Sequence, residues 1–120
     1  MVIIMVKRAD MAKTIRTYSQ ATREAAQVLG KLIRLERKER RMTEADLAAR
    51  AGISRTTLQK IEQGDLKCEL GLVFEVATIV GVTLYGADNS STVTLYHARL
   101  NEKLALLPHS VRVPKVDDEF

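Results

Sequence analysis

Tryptophan is absent from the 120 residues, and only two phenylalanines, three tyrosines and two prolines occur. With so few large rings, the core falls to Ala, Leu, Ile and Val, a composition that favours helices. A single cysteine, Cys68, excludes an internal disulfide. With His97 and His109 it offers too few ligands, too far apart, for a thiol zinc site, and it reads as a small, partly buried residue. No apolar run approaches the ~20 residues that span a bilayer. The apolar start, residues 1–6, is too short and badly flanked for a secretory signal. A cytoplasmic location, no membrane and no cofactor are expected. Met5 and Met11 are alternative starts.

Charge is plentiful and unevenly placed. Residues 1–60 hold 14 Lys/Arg against 6 Asp/Glu, a net +8, while residues 61–120 hold 5 against 9, a net −4. A basic half suits a polyanion such as nucleic acid, and it equally suits a solvated helix surface.

Along the chain, residues 14–19 alternate β-branched and aromatic residues and admit a short strand, which would need a partner strand from this chain or from another subunit. From Thr22 the period becomes helical. Ala25, Val28/Leu29, Leu32/Ile33 and Leu35 mark one apolar face of a helix over 22–41. Lys31, Arg34, Arg37, Lys38, Arg40 and Arg41 cover the rest, with Glu36 and Glu39 placed to pair with bases along the helix.

Thr43 is a good N-cap for a second helix, with Asp46 completing a variant of the capping box and Leu47 and Ala48 facing inward. Gly52 stops that helix, because the residue after a helix commonly takes a left-handed backbone. Ser54 caps a third helix running to Gln63, and Gly64 ends it. A fourth helix is expected over 69–80, closed by Gly81, and a fifth over 92–107, limited by Pro108. Leu95, Leu100, Leu104 and Leu107 form the stripe of the fifth, which either completes the monomer core or builds a dimer interface. The tail, 109–120, carries Pro114 and the acidic run Asp117-Asp118-Glu119, and is read either as disordered or as a docking segment ending in Phe120. The organisation expected is thus an N-terminal arm over 1–20, a domain over 21–88, a helix over 89–108 and a tail over 109–120.

The informative stretch is 43–64: two capped short helices joined by a tight corner at Gly52. Ala48 is small where the helices must cross closely, and Ile53, Leu58 and Ile61 pin the second helix to the core. These offsets are what a helix-turn-helix needs mechanically. With Leu58 and Ile61 inside, Arg55, Thr56, Gln59 and Lys60 face outward. Arg and Gln can read base edges bidentately, and Thr can bond a base or touch a thymine methyl. Thr43, Ser54 and Thr57, near helix starts, and Arg34 and Arg41 on the basic helix suit phosphate oxygens.

Leu32-Ile33-Arg34, Asp46-Leu47-Ala48, Gly52-Ile53-Ser54 and Ile61-Glu62-Gln63-Gly64 together resemble the Xre/Cro-type helix-turn-helix family over about residues 26–85. That resemblance implies an all-α, five-helix, lambda-repressor-like fold, to which the strand at 14–19 would be an N-terminal addition, and a second motif helix that enters the major groove, usually of a dimer on a palindromic operator in double-stranded DNA. Many members carry Gln after the cap of the first motif helix, bonding a phosphate. Here that position is Glu44, whose carboxylate repels phosphate, with Lys60, Arg41 and Arg34 available as compensating charge. Residues 29–86, with Leu106-Leu107-Pro108 and Val116-Asp117-Asp118-Glu119-Phe120, further resemble HipB-type antitoxins, encoded beside HipA-type serine/threonine kinase toxins. This narrower likeness implies autorepression of the operon and a HipA-like kinase partner. The alternatives are a stand-alone Xre-type regulator and a protein-interaction module with little DNA binding. Catalysis is not expected: there is no nucleophile elbow, phosphate-cradling glycine loop or metal-spaced cluster, His97 reads as a partly exposed structural residue in a helical stretch, and His109, in the tail, has no orienting group.

Overall fold

The computed structural model describes residues 16–86, 90–111 and 113. Five helices occupy them: α1 (Gln20–Glu39), α2 (Glu44–Ala51), α3 (Arg55–Glu62), α4 (Leu70–Val80) and α5 (Ser90–Ala105). The fold is all-α, as the composition and periodicity predict, and no strand occurs among the described residues. The strand expected over 14–19 is not present where it can be seen. Residues 16–19 have no partner strand, and Ser19 instead caps α1, its hydroxyl accepting from the Thr22 amide at 3.2 Å. Positions 14 and 15, the rest of the arm and most of the acidic tail lie outside the described residues.

The chain divides into two compact units at Val82/Thr83. In the first, α1 contacts α3 and α4, and α2 contacts the same two helices. Ile33, Leu47, Ala48, Leu58, Ile61, Val76, Ala77 and Val80 are its buried apolar residues. All are small or medium aliphatics, as an aromatic-poor sequence requires.

The face that α1 buries coincides only in part with the expected one, of which Ile33 is buried and Leu29 half-buried. Gly30, Ile33 and Arg37 are buried, at i, i+3 and i+7, whereas Val28, Leu32 and Leu35 are 41–51% exposed. The physical reason is Gly30. A Cβ there would lie 2.6 Å from the backbone oxygens of both Ile61 and Glu62. With only a hydrogen at this crossing, α1 rests directly on the end of α3, which turns the glycine side inward and the bulkier aliphatics outward.

That rotation also buries a charge. Arg37, expected on the solvated basic surface, is 6% exposed, and Glu62 opposite is 8% exposed. The guanidinium meets the carboxylate in a two-pronged pair, Nε to Oε2 at 2.7 Å and Nη2 to Oε1 at 3.0 Å. Its remaining nitrogen, Nη1, donates to the Met42 carbonyl at 3.0 Å, tying down the α1–α2 connection. The hydrogen bond and charge of Glu62 hold the Arg37 pKa above its ordinary value against the opposing effect of burial. Nearer the end of α1, Glu36 and Arg40 form the expected i,i+4 pair.

In the second unit α5 begins two residues earlier than expected and ends at Ala105, where Leu106 and Leu107 turn out of the helix. Its side chains over 91–105 are all exposed, so the stripe Leu95, Leu100, Leu104 packs into no core among the described residues.

Removing half of a buried ion pair leaves an uncompensated charge, at about 3–5 kcal/mol, whereas an apolar pair of similar size can be neutral. Arg37→Ala should therefore strongly lower the urea midpoint. Arg37→Met combined with Glu62→Leu should recover most of the loss. Equal losses for the single and double variants would contradict this account of the pair.

Candidate nucleic-acid interface

The corner between α2 and α3 is built from local chemistry. Thr43 and Asp46 form the reciprocal capping box: the Asp46 amide donates to Thr43 Oγ1 at 3.0 Å, and the Thr43 amide donates to Asp46 Oδ2 at 3.1 Å. Gly52 ends α2 at φ 70°, ψ 32°, the left-handed conformation the turn requires, and the Ile53 amide donates back to the Ala48 carbonyl at 3.0 Å. Ser54 restarts the chain as N-cap of α3, its hydroxyl accepting from the Thr57 amide at 3.0 Å. Ala48, Leu58 and Ile61 are buried as the spacing predicts, while Ile53 is only half-buried.

Anchored on Leu58 and Ile61, α3 turns its other side to solvent. Arg55, Thr56 and Lys60 are exposed, and Gln59 is half-buried beside them. Thr43, Ser54, Arg34 and Arg41 are exposed, and Thr57 is half-buried. Arg41, just past α1, has a positive φ of 57°. The hydroxyls of Thr43 and Ser54 are acceptors for the cap amides, and Ser54 Oγ also donates to Thr57 Oγ1 at 2.9 Å. These groups thus shape the helix starts, and each cap hydroxyl aligns neighbouring amides at the positive end of a helix.

Glu44, the first residue of α2, joins two of the outward residues. Its Oε1 accepts from Arg55 Nε at 3.0 Å and from Gln59 Nε2 at 3.0 Å. Its Oε2 lies 4.0 Å from Arg37 Nη2. The Gln59 and Arg55 hydrogen bonds hold the Glu44 carboxyl below the usual carboxylate range. Arg34, Glu44, Gln59, Glu62 and Gln63 line a shallow polar cleft at this junction. Sequence reasoning treated Glu44 only as an unwelcome charge and missed its role as a hub. It also missed Arg37 and Glu62. The available signal was spacing: Arg37 follows Ile33 by four residues, and Glu62 follows Leu58 by four, so opposite charges extend two buried faces toward one another.

The corner, its caps and the small residue at the crossing are together the geometry of a helix-turn-helix, and residues 33–85 match the Helix-turn-helix family model. Residues 33–85 are a helix-turn-helix domain. This Xre-like family consists of DNA-binding transcriptional regulators rather than enzymes. No curated protein and no solved structure matches the chain. Among the described residues no helix is long and apolar enough to cross a membrane, and no group of three His, Cys, Asp or Glu side chains is placed to hold a metal. Burial raises the Cys68 thiol pKa, which disfavours the reactive thiolate.

Two carboxylates at the start of α2 link this domain to pH. Backbone and side-chain hydrogen bonds with Thr43 lower the Asp46 pKa, and those with Gln59 and Arg55 lower that of Glu44. Depressed folded-state values mean the stabilisation is complete above the ordinary values, 3.8 for Asp46 and 4.5 for Glu44, and is lost as pH falls through the folded ones. The urea midpoint should drop on acidification below that range. Glu44→Gln with Asp46→Asn should start lower and fall less steeply. An acid limb identical in the two proteins would contradict the assignment.

Proposed function

We propose that the protein is a sequence-specific transcriptional repressor that binds a palindromic operator as a two-fold dimer, laying α3 in successive major grooves about one turn, roughly 34 Å, apart. The observation that carries this reading is the polar face of α3, where Arg55, Thr56 and Lys60 are exposed beside Gln59 on a helix anchored from behind by Leu58 and Ile61. Arg55, Thr56, Gln59 and Lys60 are the base-proximal set. Thr43, Ser54, Thr57, Arg34 and Arg41 are the backbone set, arranged at helix starts and on the basic helix where phosphates are met. Exposed apolar faces support a homodimer: Val28, Leu32 and Leu35 on α1 and Leu95, Leu100 and Leu104 on α5 are uncovered in the single chain.

The narrower role is that of the antitoxin in a type II toxin–antitoxin system, autoregulating its operon and binding a HipA-like Ser/Thr kinase. Its support is the likeness of residues 29–86 and of the chain's ending to HipB-type proteins. Co-expression with the kinase-like product of an adjacent reading frame should yield a stable complex, and failure to co-purify favours a stand-alone regulator.

For DNA binding, fluorescence anisotropy with the gene's own upstream duplex is the direct measurement. Several phosphate contacts imply that log affinity falls with log salt at a slope of about −0.9 per contact. Arg41→Ala should weaken all duplexes alike and flatten that slope. Arg55→Ala should reduce discrimination at one base pair by ~1–3 kcal/mol. Absence of binding at low salt would favour a protein-interaction module.

A further inference from the structure

Among the described residues Glu44 is the carboxylate that contacts the reading face of α3, and it touches two of the four outward residues through the same oxygen. A carboxylate can only accept hydrogen bonds. Its contact with Gln59 therefore dictates which way round that amide lies: the NH2 group must face Glu44, since the carbonyl oxygen would be repelled. A neutral amide at position 44 would have both a donor and an acceptor and would tolerate either orientation. The same logic applies to Arg55. With Nε donating to Glu44, the two terminal nitrogens are left as an end-on fork.

The carboxylate is itself held from behind. Arg37 Nη2 approaches its second oxygen at 4.0 Å, and Arg37 is locked by its pair with Glu62 at 2.7 Å. Glu44 is also the first residue of α2, at the helix's positive end, where a negative charge is favoured. A buried, rigid cation and a helix terminus thus fix the position and charge of the group that orients Arg55 and Gln59.

We propose that Glu44 is a specificity-determining positioning residue, setting the hydrogen-bonding faces that Arg55 and Gln59 present to the base pairs. This rests on the reading of α3 as the groove-binding helix. Gln59, with one amide hydrogen committed, presents its carbonyl oxygen and second N–H, the combination that matches adenine N6 and N7. Arg55 presents its fork, which matches guanine O6 and N7.

The test uses the full-length protein and a duplex enriched by the wild type from a random pool, with every single base-pair variant of that duplex. Gln59→Ala first identifies the base pair that Gln59 reads. Glu44→Gln should lose discrimination at that same base pair, from about tenfold to within about threefold, while the rest of the profile away from the Arg55 position is kept. Glu44→Gln with Gln59→Ala should lose no more there than Gln59→Ala alone, since coupled residues are not additive. In the free protein, the Gln59 side-chain amide resonances should shift as Glu44 is protonated at acid pH, a signal that holds even where the variant folds poorly. A wild-type motif with an unchanged Glu44→Gln profile, or Gln59 amide signals insensitive to pH, overturns this proposal alone. If no motif can be enriched, the DNA-binding reading falls and this proposal falls with it.

Discussion

A guanidinium taken out of water is tolerable only where a carboxylate meets it squarely, and the first unit is arranged around one such meeting. Arg37 of α1 and Glu62 of α3 are joined by two hydrogen bonds, and the third nitrogen of Arg37 holds the Met42 carbonyl at the entrance to α2. Three segments are thereby referred to one side chain. Apolar contacts among Ile33, Leu47, Leu58, Ile61 and Val76 supply the larger share of burial, but they are non-directional. The ion pair is directional, and it locks α1 against the end of α3 in the orientation that the close approach at Gly30 allows.

From that pair a line of polar contacts reaches the surface. Arg37 lies behind Glu44, and Glu44 holds Arg55 and Gln59 on the outward face of α3. A recognition helix needs side chains that are exposed and yet not free to wander, because ordering long side chains at the moment of binding opposes affinity. Here the ordering is done beforehand, by a carboxylate whose own place is set by the core. The Glu44 charge, which in the sequence counts against phosphate binding, is in the free protein paired with Arg55 and hydrogen-bonded by Gln59 of the reading face.

Much of the corner was legible in one dimension because its causes are local. Thr43 with Asp46, Gly52 and Ser54 act within three or four residues of themselves, through caps and a left-handed turn, and each appears where spacing places it. The helix ends shift by a few residues at most, and the alternation at 14–19 misled because β-branched residues favour a strand only when a partner strand is at hand. Part of the face of α1, Val28, Leu32 and Leu35, was misread for a different reason. Counting leucines assigns the richest stripe to the core, but burial depends on which side can approach a neighbour, and Gly30 allows backbone contact that Val28 and Leu32 would block.

By itself the sequence determined the all-α class, the capped pair of short helices, the glycine corner and the list of polar residues on α3, because these follow from propensities and hydrogen bonds spanning one or two turns. Only the tertiary structure decided that Arg37 is buried, that Glu62 is its partner twenty-five positions away, and that Glu44 grips Arg55 and Gln59 across the corner. Pairings between distant positions depend on how helices rotate against one another. That rotation is settled by the joint packing of Gly30, Ile33, Leu58 and Ile61, which no single segment encodes.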